Sequence, residues 1–137
     1  MLNKEQHKIR IAIAKYIGWK REKTGPTFYK ILTPHGHEVW HYDSRGNSYG
    51  PACSWESRHV LELMPDYPND LNAMNIIEKK LTHEQRKQYV AYINGCDNWE
   101  GWWSELTDQD KLDAVFKCTN ASALIKADAF IQTLKLK

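Results

Sequence analysis

The chain has 137 residues, with 19 Lys and Arg against 17 Asp and Glu, for a formal net charge of +2. That length predicts one domain with a modest core, and so mild a charge demands no nucleic-acid partner. Cys53, Cys96 and Cys118 are widely spaced without a CxxC, which points away from a disulfide scaffold or a zinc knuckle. With no long apolar run and no signal-like segment, the expectation is a soluble, cytoplasmic protein.

The charge is uneven. Residues 1–30 carry eight bases (Lys4, Lys8, Arg10, Lys15, Lys20, Arg21, Lys23, Lys30) against Glu5 and Glu22, and residues 97–113 carry six acids (Asp97, Glu100, Glu105, Asp108, Asp110, Asp113) against Lys111. The plain reading is two solvated faces; the sharper one is an anion-binding face and an acidic face for a partner.

A first helix is predicted from about Asn3 to Ile17. Asn3 serves as cap, Gln6 completes a capping box, and Ile9, Ile13, Tyr16 and Ile17 form the apolar stripe with Lys and Arg mainly off it. Gly18 ends it and Trp19 packs back. Residues 27–33 and 37–43 are rich in β formers around the turn Pro34-His35-Gly36, which predicts a hairpin. Its alternation places Trp40 and Tyr42 on one face and His37, Val39 and His41 on the other. Ser44 to Pro51, rich in Gly and Asn, reads as a loop, and Cys53 to Leu63 fits a third strand or a short helix.

Met64 to Met74 is the hinge between this β-rich half and a helical one. Pro65 and Pro68 hold the approach extended. Asn69 or Asp70 can cap a helix reaching about Leu81 through Leu71, Met74 and Ile77. Thr82 and Gln85 form a capping box for the next helix, lined by Tyr89, Val90 and Ile93 and stopped by Gly95. Trp99, Trp102 and Trp103 follow in an acidic stretch that reads as a loop. Thr107 caps a helix carrying Leu112, Val115 and Phe116. Asn120 is expected to cap the last helix, with Leu124, Ala127, Ile131 and Leu134 on one side. The fold class is therefore α+β: a small antiparallel sheet covered by helices, with a helical C-terminal half. The expectation is a single domain, residues 1–63 forming its helix-plus-β part and 64–137 its helical part.

The hinge also carries a resemblance. Pro65-Asp66-Tyr67, Asn69-Asp70-Leu71-Asn72-Ala73-Met74 and Glu78-Lys79 resemble the signature of small phage and prophage proteins grouped as the phage ABA-sandwich domain family. Ala12-Ile13-Ala14-Lys15 with Gly18-Trp19 is similar to that family's first helix. Asn120-Ala121-Ser122-Ala123, Ala127-Asp128-Ala129-Phe130 and Thr133-Leu134 are similar to its last helix, with Lys126 and Asp128 in place of the usual Arg and Glu. The resemblance implies a helix–sheet–helix sandwich, a phage origin and a bacterial host cell as its setting. It also implies that residues 24–64 are the variable segment. The family is mostly of unknown activity.

Chemistry-bearing motifs are sparse. His35, His37 and His41 are the best metal candidate, but no Cys or Asp completes a tetrahedron, so no metal is expected. No phosphate loop, dinucleotide fingerprint or nucleophile elbow occurs, and neither a cofactor nor catalysis is expected. The aromatic content says more: six Trp and seven Tyr. Trp40, His41, Tyr42, Arg45, Trp55 and Arg58 interleave stacking surfaces with bases, as nucleotide binding requires, although each Trp alone reads more readily as core. Tyr67, Asn69 and Asp70 are possible further members of that pocket, with capping the plainer role. Trp99, Trp102 and Trp103, among acids, suit a protein partner better than a phosphate.

The function expected is a phage-encoded counter-defence protein that sequesters a nucleotide-derived immune signal, of cyclic-nucleotide or ADP-ribose type, without catalysis, possible as a homo-oligomer. One alternative is occlusion of a host defence protein, such as a CRISPR or other immune effector, by the Trp99–Trp103 patch. Another is a small hydrolase of unknown substrate.

Overall fold

In the computed structural model, residues 4–42 and 45–135 are described, and the cap expected at Asn3 lies outside them. The fold is α+β. Among the described residues it has seven helices and two antiparallel two-stranded sheets, and the C-terminal half is helical. By internal contacts the chain divides into two compact units, residues 10–66 and residues 67–137 with 1–9. No described helix is long and apolar enough to cross a membrane.

The first unit takes most of α1 (Lys4–Ile17). Gly18 closes that helix with φ +127, and the N–H groups of Gly18 and Trp19 both return to Ala14 O, at 3.1 and 3.0 Å. Such a turn strains any side chain, and a Cβ there would also meet Pro34 at 3.4 Å. Trp19 packs back and is buried, as expected. Arg10 does not stay off the apolar face: it is buried with Ala12, Ile13 and Ala14, while Tyr16 is exposed.

The hairpin expected over residues 27–43 forms only next to its turn, where Leu32 bridges Glu38 and Thr33 N–H donates to His37 O at 2.9 Å; beyond that its two strands take other partners. β2 (Tyr29–Leu32) pairs with β1 (Lys20–Lys23), and β3 (Trp40–Tyr42) pairs with β4 (Ser48–Pro51) inside the stretch read as a loop. The Pro34–Gly36 turn does form, closed by Gly36 N–H on Thr33 O at 2.9 Å. A short backbone circuit then joins the two pairs. Val39 N–H donates to Ile31 O, Ile31 N–H to Ala52 O, and Ala52 N–H to Val39 O, at 3.0, 3.0 and 2.7 Å. All three residues are buried, so this is where the unit's core forms around the chain. The ambiguous stretch before the hinge resolves as helix α2 (Arg58–Leu63) with Val60 inward.

The second unit contains α3 (Leu71–Glu78), α4 (His83–Ile93), α5 (Trp99–Ser104), α6 (Asp108–Thr119) and α7 (Ala123–Leu134). Helix α4 is central: α5, α6 and α7 pack on it, and α3 packs on α7. Asp70 caps α3 by accepting from Ala73 N–H, and the Thr82–Gln85 capping box closes both ways on α4. One expectation fails and one holds in part. Ser122, not Asn120, caps α7, because Asn120 is spent as the C-cap of α6. The face of α7 that is buried is Ala123, Lys126, Ala127, Ala129 and Phe130, whereas Leu124 is partly exposed. On α6 only Ala114 is buried; Leu112, Val115 and Phe116 point outward.

Candidate functional site

The first unit holds a basic and aromatic cleft of about 490 Å³ lined by Lys15, Trp19, Lys20, Arg21, Glu22 and Trp55. Lys15 comes from the last turn of α1, and the next three charged residues from β1. All four side chains of β1 are exposed and charged, a common protection for a sheet edge that here also concentrates cations. Arg21 is held rather than loose. Its Nε–H donates to Cys53 O at 2.8 Å, and its guanidinium lies 3.8 Å from the centroid of the Tyr29 ring. The Lys15 ammonium sits 5.8 Å from the centroid of Trp55. Of the residues put forward as a nucleotide pocket, Trp55 alone lines this cleft. The cations come from the basic residues 1–30, whose role was left open, and β1 was missed because a run of charges gives no β signal.

A second group gathers at β3 and α2. Trp40 and Tyr42 are exposed and Val39 is buried, in keeping with the expected faces, although His37 is exposed and the pairing shifts register between His41 and Tyr42; neither Trp40 nor Trp55 is a core residue. His41 is half-buried, its Nδ1 3.4 Å from Ser57 Oγ. The organising residue is His59, which the sequence did not single out. Its Nε2 lies 3.1 Å from both the N–H and the carbonyl oxygen of Tyr42. Its Nδ1 faces Glu62 Oε2 at 3.4 Å. The Tyr42 and His59 rings meet edge to face at 5.7 Å, and His41 and His59 at 6.1 Å. Arg58 is exposed and pairs with Glu62 at 3.5 Å, a contact worth little alone. Arg45 is exposed on a turn. His35 and His37 are exposed, and among the described residues no three His, Cys, Asp or Glu side chains converge as metal ligands.

Tyr67, Asn69 and Asp70 belong to the helical unit. Tyr67 is buried, Asn69 Nδ2 donates to Gln6 Oε1 at 3.3 Å, and Asp70 is the cap of α3. In the same unit the three tryptophans lie on helix α5, not in a loop. Asn98 Oδ1 accepts from Glu100 N–H at 3.1 Å to start that helix. Spacing of three and four residues puts the rings on one face. Trp99 stacks on Trp103 at 4.3 Å, and Trp102 meets both edge-on at 5.8 Å. Lys111 Nζ lies 5.4 Å from the Trp103 centroid.

The helical unit also has a pocket of about 340 Å³ that sequence reasoning missed, with Glu78, Arg86, Tyr89, Cys118 and Lys126 in its lining. Lys126 is only 5% exposed. Its Nζ donates to Asn75 Oδ1 at 2.9 Å and sits 3.4 Å from Glu78 Oε2, which accepts from the Tyr89 hydroxyl at 2.9 Å. Burial, reinforced by the Glu78 charge, pushes the Tyr89 phenol well above its ordinary range. Burial likewise raises the Cys118 thiol, so it is neutral near pH 7. A signal was present: Lys126 falls three residues after Ala123 and four before Phe130, on the buried face of α7.

No family model matches the chain, and no curated protein or solved structure matches it either.

Proposed function

We propose that this protein is a binding protein for a nucleotide-type anion, held in the cleft of residues 10–66. The observation that carries the reading is the convergence of Lys15, Lys20 and Arg21 with the Trp55 ring around one concavity. Cations supply the phosphate contacts and an aromatic face supplies base stacking, the two elements of sequence-independent nucleotide recognition. The half-buried ring and the anchored guanidinium are pre-organised, which reduces the ordering cost of binding. The phage setting and the counter-defence role, sequestration of a cyclic-nucleotide or ADP-ribose type signal inside the infected cell, rest on the resemblance alone, carried by residues 12–19, 65–79 and 120–134.

The test is a thermal-shift screen with cyclic dinucleotides, cyclic ADP-ribose isomers and adenine nucleotides. A ligand at 100 times its Kd adds about 2.7 kcal/mol, a shift of several degrees for a chain of this size. The expected result is a shift with one class, lost in Trp55→Ala and Arg21→Ala, and recovery of the ligand unchanged. A shift that survives both substitutions sinks the site, and an altered ligand sinks the binding-only reading.

Occlusion of a host protein has its own support. The stacked tryptophans of α5 and the outward Leu112, Val115 and Phe116 of α6 leave aromatic and aliphatic surface uncovered among acids, the composition of an interface core with a polar rim. Loss of a host partner in Trp102→Ala, with nucleotide shifts intact, would favour it.

A further inference from the structure

The pocket of the helical unit is unrelated to the nucleotide cleft, and its wall has a definite chemistry. Its floor is a buried ammonium. Lys126 donates to Asn75 Oδ1 at 2.9 Å and to Glu78 Oε1 at 3.5 Å, and it lines the cavity; of its three N–H donors only the one to Asn75 is held at short distance. The Glu78 carboxylate in the wall is already engaged: Oε2 accepts from the Tyr89 hydroxyl at 2.9 Å, and the Lys126 ammonium lies 3.4 Å from that oxygen and 3.5 Å from Oε1. At the rim, Lys79 and Arg86 are exposed, and Arg86 is anchored by donating from Nη2 to Lys79 O at 3.2 Å. Three cations thus face one neutralised carboxylate, which gives a concave site with positive potential. Val90 and Ile93 provide an apolar wall.

We propose that this pocket binds a small organic carboxylate, its charged end on Lys126 and Arg86 and its apolar body against Val90 and Ile93. A volume of about 340 Å³ suits a small molecule. A phosphate dianion fits less well. Its second negative charge would lie close to the Glu78 carboxylate, which lines the same pocket.

Cys118, in the same wall, provides the readout. Iodoacetate is a small carboxylate with a thiol-reactive carbon; the cysteine sulfur attacks its CH2, iodide leaves and the thiol proton passes to buffer. Iodoacetamide is its uncharged analogue. With peptide mapping by mass spectrometry, iodoacetate labelling of Cys118 is expected to saturate with concentration and to slow several-fold when benzoate competes. Cys53, which is exposed, should label linearly and ignore benzoate. The double substitution Lys79→Gln and Arg86→Gln should abolish saturation and leave the iodoacetamide rate unchanged. Linear labelling of Cys118 without protection by benzoate overturns the proposal. Should Cys118 react with neither reagent, benzoate titration followed by amide NMR decides: shifts clustered at Glu78, Arg86 and Thr119 support the site, and none up to the solubility limit refutes it.

Discussion

Each unit buries one basic side chain to the same degree, 5% exposed, and the two are satisfied in opposite ways. Arg10 of the β-containing unit gives its guanidinium to backbone: Nε–H donates to Pro65 O at 3.1 Å, and Nη2 to Leu61 O and Met64 O. These carbonyls lie at and just beyond the end of α2, where helical acceptors run out of N–H partners. A planar fork with five donors matches them, as an ammonium could not. Lys126 of the helical unit gives its ammonium to side chains, Asn75 and Glu78, beside a cavity. Backbone acceptors cannot be exchanged without undoing the chain's path. Side-chain acceptors can rotate and make room for another anion. Equal burial therefore marks a structural staple in one unit and an available charge in the other.

The largest effect expected is at the staple. Arg10→Met strands three carbonyls and should cost on the order of 3–5 kcal/mol, read by urea unfolding. Amide exchange should accelerate first at residues 58–66. Arg10→Lys should recover only part of the loss, because a single ammonium cannot reproduce the fork. A cost below about 1 kcal/mol for Arg10→Met would erase the distinction between the two cations, since an unsatisfied buried acceptor alone costs that much.

Removing the other cation should cost less. Glu78 is 28% exposed at its side chain, so water shares the carboxylate that Lys126→Met leaves behind, and a loss of about 2 kcal/mol is expected. Adding Glu78→Gln should return part of it, with a coupling of about 1–2 kcal/mol in a double-mutant cycle. Strict additivity would mean that Lys126 and Glu78 do not act as a pair.

The same contrast explains what could be read from the sequence. Local signals were legible. The Thr82–Gln85 box, the Asp70 cap and the Gly18 stop each act within a few residues, and each is in place. Pairings between distant segments were not. Residues 27–43 contain two strands and a turn, yet β2 pairs with the all-charged β1 and β3 with the Gly-containing β4; both partners lack the β-branched pattern that announces a strand. On α5, the spacing of Trp99, Trp102 and Trp103 did carry a helical signal, but Gly101 and the shortness of the six-residue segment hid it. The aromatic interleaving located Trp55 but not the cations beside it, which come from α1 and β1. Arg10 and Lys126 were both hidden by the rule that charge means solvent; their positions on buried helical faces were visible, but their acceptors lie about fifty residues away along the chain.

The smallest effect separates the two units by pH. Tyr89 is buried and donates to Glu78, and burial first, then the Glu78 charge, raises its phenol above the ordinary value near 10. A raised acid contributes its full stability below the unfolded value and loses it as pH climbs toward the folded one. Above pH about 10 the unfolded chain releases this proton while the folded chain keeps it, so unfolding becomes easier by about 1.4 kcal/mol per pH unit. Tyr89→Phe should cost about 1 kcal/mol at neutral pH, the net worth of the lost hydrogen bond, and should flatten the fall above pH 10 relative to the parent chain. Arg10 keeps its proton throughout this range. The steepening should therefore appear in the exchange of α4 and α7 amides, not in those of residues 58–66 held by Arg10. An equal steepening at both places would show that the two units unfold as one, and the division between staple and available charge would then be a difference in chemistry alone.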